Sequence, residues 1–255
     1  MKIQLIRNAT IVVEYAEKKI LVDPMFSKKG ELATAPMPAK DWNMKKNPLH
    51  ELPISVDEII KDIDFVFLSH LHFDHWDKAA ENALPKNIKI FVQDKNDKKK
   101  IEKSGFTDVE ILSENSTFEE IKLSRTKAQH GKGFILRLAG QVCGMVLRHP
   151  SEKTFYIAAD TVWYDEVEKT LGKFKPEVIV VNGGDNRFFI GNQLVMNKQD
   201  IFSVHKAAPN AKIIVVHMEG VNHNTLSRKE LSEFINEKTI SNKVIIPIDG
   251  EKINI

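Results

Sequence analysis

The chain has 255 residues, a formal net charge of +2 and both signs of charge spread along its length, which excludes the basic stripe of a nucleic-acid binder and the acidic tail of a solvating, disordered segment. Hydrophobic residues make up 42%, enough for a sizeable core, yet no run approaches the roughly 20 apolar residues needed to cross a bilayer, and MKIQLIRNATIVVEY lacks the apolar stretch of a secretion signal. A single cysteine, Cys143, excludes an internal disulfide framework, and these features predict a soluble protein of the reducing cytoplasm without membrane or nucleic-acid partners.

The opening segments KIQLI, TIVVEY and KKILVD are short, β-branched and separated by polar turn residues, so they read as strands. Pro24 cannot continue a ladder and ends the third strand at Asp23. Residues 27–54 have little periodicity and are broken by Pro36, Pro38, Pro48 and Pro53; a loop of that length predicts a functional lid and pocket wall. Ser55-x-x-Glu58 is a capping-box pattern that opens a short helix over VDEIIKD. The continuous apolar run FVFL reads as a strand buried on both faces. After it come a helix over KAAENAL, a strand over IKIFVQ, a helix over DKKKIEKSG stopped by Gly105, and a strand over VEIL.

The second half has the same style. TFEEIKLSRTKAQH, FILRLAG, QVCGMVLRH and KTFYIAAD read as a β-meander. VWYDEVEKTLG is a helix, PEVIVVN a buried strand, KQDIFSVHKAAP a helix capped by Asn197, and AKIIVVH another buried strand. Ser227-x-x-Glu230 opens an amphipathic helix, and KVIIPI is the last predicted strand. Two sheets packed face to face with helices outside would bury all these strands. That predicts an α/β sandwich formed by one domain, 1–255, of two similar halves, roughly 1–125 and 126–255.

The chemistry concentrates in FVFLSHLHFDHWD, residues 65–77. If the backbone stays extended, His70, His72 and Asp74 project to one side and His75 to another. Imidazole and carboxylate are good ligands for zinc-like divalent metals, and the run follows a buried strand, where ligands gather in α/β sheets. Further donors sit just past predicted strand ends: His130 between strand and glycines, Asp160 at the end of FYIAAD, and His217 at the end of IIVVH. Asp23, ending ILVD, is expected to hydrogen-bond a ligand histidine and fix its tautomer. His50 is a candidate pocket-wall residue, His149 and His205 read as a turn and a helix residue, and Cys143 as a core side chain. No GxSxG elbow, P-loop or Rossmann fingerprint is present.

The set HxHxDH, a later His, an Asp ending a strand and a final His after another strand resembles the metallo-β-lactamase superfamily, over nearly the whole chain. The resemblance implies the four-layer αββα sandwich of that family. The phrases LVDPMF, SHLHFDHWD, AADTVW, VIVVNGG and VVHMEGVNH look like a poorly characterised hydrolase subgroup related to L-ascorbate-6-phosphate lactonase. By resemblance, His70, His72 and His130 would hold one metal, Asp74, His75 and His217 a second, and Asp160 would bridge them. The implied cofactors are two divalent ions, zinc first, with manganese or iron as alternatives. The implied reaction is attack by a metal-bridging hydroxide on a small-molecule lactone, ester, amide or phosphodiester. Asp74 would orient that hydroxide, and His223 is the candidate proton donor to the leaving group.

Departures narrow the subgroup. Trp76-Asp77-Lys78 replaces the glycine pair usual in glyoxalase-II-like members, and His72 stands where flavodiiron-type oxidoreductases place Glu. Two alternatives remain at this point: an iron-dependent oxidoreductase on the same fold, and a non-catalytic module that keeps a structural metal. A homo-oligomer is the general expectation for a soluble enzyme.

Overall fold

The computed structural model describes residues 1–36, 38–39, 44–133, 136 and 139–255. Strands β1 (Lys2–Arg7), β2 (Thr10–Tyr15) and β3 (Lys18–Val22) form an antiparallel meander. Strands β4 (Phe65–Phe67), β5 (Lys89–Val92) and β6 (Asp108–Ile111) then add in parallel beyond β3. The second sheet begins with the antiparallel strands β7 (Ser116–Phe118), β8 (Ile121–Lys127), β9 (Cys143–Arg148) and β10 (Phe155–Ile157). It continues in parallel through β11 (Val178–Asn182), β12 (Lys212–Val216) and β13 (Val244–Ile245). The last strand, β14 (Lys252–Asn254), returns to pair with β1, giving the orders β14-β1-β2-β3-β4-β5-β6 and β13-β12-β11-β10-β9-β8-β7.

Alternation along the strands produces the layers. Phe65 and Phe67 of β4, Phe91 of β5, Met145 and Leu147 of β9, and Val178 and Val180 of β11 meet in one buried cluster between the sheets. Their neighbours point the other way. Val66, Ile90 and Val92 pack outward against α1 (Val56–Ile60), α2 (Lys78–Ala83) and α3 (Lys95–Lys103). Val146, Ile179 and Val181 pack outward against α4 (Asp165–Phe174), α5 (Lys198–Ala207) and α6 (Arg228–Glu237). Strands buried on both faces explain why FVFL and IIVV read as unbroken apolar runs. The architecture is the expected αββα sandwich.

Three helix starts follow the sequence signals. Ser55–Glu58 and Ser227–Glu230 form reciprocal capping boxes, and the Asn197 side chain accepts from the amides of Gln199 and Asp200. The strand expected over KVIIPI is shorter than its apolar pattern. Pro247 has no N–H to extend the ladder, and its carbonyl accepts from Arg228 Nε instead. The strand expected over FILRLAG falls largely outside the described residues; Leu136 and Ala139, which are described, are helical. Strand β14 has no counterpart in the sequence reading.

The described parts of segment 27–54 are tied down. Asn47 and Asn222 bond each other reciprocally, Asn222 N–H to Asn47 Oδ1 at 2.8 Å and Asn47 Nδ2 to Asn222 Oδ1 at 3.0 Å. Leu49 N–H donates to the Gly220 carbonyl at 2.9 Å, and Pro38 bridges Phe188. The segment is therefore a strap over the loops that follow β11 and β12. No helix among the described residues is long and apolar enough to cross a membrane.

Candidate metal centre

The carboxyl ends of β3 and β4 in one sheet and β10, β11 and β12 in the other open on the same edge of the sandwich. After β4 the backbone leaves the extended conformation. The amides of both His75 and Trp76 bond the His72 carbonyl, at 3.0 and 2.9 Å, so 72–76 is a helical turn. This corrects the extended-chain expectation for His75. The turn rotates its ring inward, and it is fully buried at the centre of the cluster.

All seven predicted donors converge. His70, His72 and His130 form one set of donor atoms mutually within 4.8 Å; His70, His75 and Asp160 form a second, and Asp74, His75 and His217 a third. Asp160 sits between them. Its Oδ2 lies 3.3 Å from His75 Nε2, 3.5 Å from His130 Nε2 and 3.9 Å from His70 Nε2, and its Oδ1 lies 3.8 Å from His217 Nε2. Asp74 Oδ2 lies 3.2 Å from His217 Nε2 and 3.9 Å from His75 Nε2.

The rings are held from behind. Asp23 Oδ2 accepts from His75 Nδ1 at 2.9 Å and from Ser69 Oγ at 2.6 Å, and Ser69 Oγ is 3.0 Å from His70 Nδ1. One carboxylate thus orients two imidazoles, the second through a hydroxyl, as expected of Asp23. His130 Nδ1 lies 3.0 Å from the Leu194 carbonyl, and Asn182 Nδ2 donates to Asp160 Oδ1 at 2.5 Å. Asn8, buried in the β1–β2 turn, joins two ligand loops: its side chain donates to the Asp74 carbonyl and its own carbonyl accepts from His217 N–H. Three strand ends turn through the left-handed region here, at Asp23 (φ 45°), Ala159 (φ 58°) and His217 (φ 60°). Non-glycine residues adopt it only where the surroundings over-determine it, and such positions concentrate at functional sites.

Burial and neighbouring charge set the protonation of the donors. Burial, reinforced by the nearby His75 and His72, holds His70 well below the ordinary imidazole range. Burial and His130 bring His72 to about 4. For Asp74 and Asp160 burial alone would raise the pKa, but the surrounding imidazoles, His75 foremost, more than offset it and hold both well below 3.8. Burial would likewise lower His75; the carboxylates of Asp160, Asp74 and Asp23 raise it well above 6.5.

These residues fit a metal on independent grounds. Among the described residues, the buried His70 Nε2 has no hydrogen-bond partner. His75 Nε2 and His217 Nε2 face each other at 3.1 Å, and His130 Nε2 faces His72 Nδ1 at 3.3 Å. Imidazole nitrogens gathered this way with two ionised carboxylates form a donor set that a divalent cation satisfies and that folding alone does not reward.

A family model described as β-lactamase superfamily domain matches residues 18–218. The chain belongs to this superfamily. Among its relatives, UPF0173 protein YddR of Bacillus subtilis (strain 168) is 53% identical over 252 residues, which cover 98% of each chain. The crystal structure of an isothiocyanate hydrolase from Delia radicum gut bacteria matches with a TM-score of 0.95 and 38% identity, covering 100% of this chain and 99% of that one. A possible metal-dependent hydrolase from Veillonella parvula DSM 2008 matches with a TM-score of 0.96 and 35% identity over the same shares. In this member of the superfamily the candidate donors come from loops of both sheets and meet in one cluster.

The remaining sequence candidates fall in different places. His223 is buried on the loop after β12, its ring stacked on Phe188 at 5.7 Å between centroids. His50 is exposed on the strap, where its carbonyl accepts from Arg7 Nη1. His149 bonds Ser151 in a turn, and Cys143 is a core thiol pushed by burial up to about 12. Sequence reasoning missed Asn8, Ser69 as a link, Asn182 and the Leu194 carbonyl. Ser69 adjoins the motif and Asn182 ends a strand, which are usable signals. A backbone carbonyl leaves none, because every residue carries one.

Proposed function

We propose that this metal-dependent hydrolase works with two divalent cations. His70, His72 and His130 would surround one, Asp74, His75 and His217 the other, and Asp160 would lie between them. One observation carries the reading: a single buried carboxylate, Asp160, has one oxygen among the nitrogens of His70, His75 and His130 and the other toward His217. Nitrogen and oxygen donors suit zinc, and the same set accepts manganese or iron. Metal bound here would supply Lewis acidity and a water activated near neutral pH.

The protein's own groups do the rest. Asp160 and Asp74 are ionised, and His70 and His72 neutral, so most donors are ready before a metal arrives. Asp23 and Ser69 hold two rings in place, which spares reorganisation during the reaction. Asp74, buried beside His217 and His75, would orient the attacking water, and His223 would face the substrate.

The substrate we favour is a small molecule with an electrophilic carbon, an isothiocyanate before the lactones, esters and amides. The support is the 38% identical isothiocyanate hydrolase that matches over the whole chain. Exposed Phe73, lying between His72 and Asp74, and exposed Phe189 and Ile190, beside Phe188, suit an apolar substituent. Hydrolysis of that group adds water across the carbon, breaks the C–N bond and yields an amine and carbonyl sulfide. A cytoplasmic setting suits the free thiol of Cys143, and a homo-oligomer fits the general habit of such enzymes.

The test is metal quantification followed by hydrolysis assays on isothiocyanates, lactones, esters, amides and phosphodiesters. Amine release that tracks metal content and stops with chelator is expected. A metal-loaded protein inert toward every class, or turnover unaffected by chelator, would overturn the reading.

A further inference from the structure

His223 ends a chain of hydrogen bonds whose directions the backbone dictates. Val221 N–H can only donate, and it bonds Asn224 Oδ1 at 2.9 Å. The other end of that amide, Nδ2, therefore donates, to the His217 carbonyl at 3.1 Å and to Asn186 Oδ1 at 2.6 Å. Asn186 is thereby oriented too, and its Nδ2 lies 3.0 Å from His223 Nε2. Since Asn186 Nδ2 is a donor, His223 Nε2 is the acceptor, and the proton of the neutral ring sits on Nδ1. Two main-chain anchors, the Val221 N–H and the His217 carbonyl, fix both amides and with them the tautomer.

Among the described residues, the buried His223 Nδ1 has no hydrogen-bond partner. The ring is neutral, because burial lowers its pKa to about 4 against the opposing pull of Asp74. A buried N–H with nothing to bond is costly unless a ligand completes it. The relay is also closely packed. A Cβ on Gly184 would collide with Asn224 Nδ2, the His217 carbonyl and Asn186 Oδ1, so only glycine leaves room for it. Asn186 is itself buried, and its carbonyl accepts from Leu194 N–H; the Leu194 carbonyl lies against His130.

We propose that Asn224 and Asn186 are positioning residues that lock His223 as its Nδ1–H tautomer, so that His223 offers substrate a fixed, neutral hydrogen-bond donor. The relay starts at the carbonyl of His217 and ends beside the cluster, so it ties the donor's position to the metal centre. A neutral imidazole is a poor proton source but a good stabiliser of charge developing on the atom that it faces. For an isothiocyanate that atom is the sulfur or nitrogen flanking the attacked carbon. This role toward substrate rests on the hydrolase reading given above; the tautomer does not.

Nitrogen-detected NMR of the ring in the wild-type protein, with and without added zinc, tests the tautomer directly. The expected spectrum shows His223 Nδ1 protonated and Nε2 bare. A protonated Nε2 would overturn the relay, whatever the activity. Asn186→Asp keeps the acceptor for Asn224 but presents His223 with a carboxylate, so the proton should move to Nε2. The expected kinetic effect is a fall in kcat of about 100-fold with KM little changed and metal content unaltered. Asn186→Gln, which keeps the donor chemistry at a different reach, should recover part of that loss. A moved proton with unchanged kcat would overturn the role toward substrate. A wild-type protein with the expected tautomer but no turnover on any substrate class would overturn the proposed reaction and, with it, that role, and would leave the tautomer standing.

Discussion

Asp23 Oδ2 accepts from His75 Nδ1 at 2.9 Å and from the Ser69 hydroxyl at 2.6 Å, so one carboxylate oxygen aims a buried imidazole and, through Ser69, steadies His70 as well. Its other oxygen takes the Ser69 amide at 2.8 Å. Asp23 Oδ2 makes these bonds from outside the three overlapping sets of donors, yet it reaches two of their rings. Asp23→Asn turns an acceptor toward His75 into a donor and misaligns both rings. Metal affinity should weaken by about 10- to 100-fold. Competition with a chromophoric chelator measures it, and wild-type affinity in the variant would remove the orienting role.

Asp160 belongs to the middle set, which shares His70 with one neighbouring set and His75 with the other. Asp160→Ala and His72→Ala should each abolish metal-dependent turnover with the fold retained. His72 is a donor of an outer set, whereas Asp160 faces nitrogens from all three, so His72→Ala should keep more metal than Asp160→Ala. Elemental analysis beside circular dichroism separates the two. Equal metal content in both variants and the wild type would argue against Asp160 lying between two ions.

The protonation of His75 gives the metal-free protein a pH dependence with a definite sign. Asp160, Asp74 and Asp23 raise its pKa well above 6.5 against the effect of burial. The charged ring therefore contributes stability that is fully present below 6.5 and is lost as pH rises through the raised value. The depressed carboxylates act in the opposite sense, contributing above 3.8 and losing their effect as pH falls below it. Metal competes with the His75 proton, so binding should release a proton and weaken toward acid. Melting of the metal-free wild type and His75→Gln across this range should show a gap that closes as pH rises; a gap that widens would contradict the assignment.

Ser227 caps α6 through a reciprocal pair with Glu230, and neither belongs to a donor set. Ser227→Ala should cost about 1 kcal/mol. For a chain of this size the melting temperature should fall by roughly 2–4 °C. Thermal melts and a parallel metal assay check it, with metal affinity expected to stay at the wild-type value.

The donor identities were legible in the sequence because their chemistry is local. An imidazole or carboxylate placed just past a buried apolar strand is visible as a pattern, and HxHxDH, His130, Asp160 and His217 all share it. The layers were legible for the same reason, since inward and outward residues such as Phe65 and Val66 follow from strand alternation. Where the sequence reading departed from the structure, a hydrogen bond that the pattern does not record decided. His75 was expected on another side of an extended run, in reach of a second metal, and a helical turn closed on the His72 carbonyl brings it into the same cluster instead. KVIIPI was expected to be a full strand, and Pro247 with Arg228 cut it short.

By itself, then, the sequence determined the sheet-forming segments, the helix caps and the list of candidate donors that the fold brings together, because each depends on side-chain type and near-neighbour spacing. Only the tertiary structure decided that Asp160 faces four histidines from both sheets, that Asp23 reaches His75 across 52 residues, and that Asn224 and Asn186 set the tautomer of His223. Those relationships join groups far apart in the chain. Their geometry is fixed by how the strand ends of two packed sheets meet, and no local pattern records it.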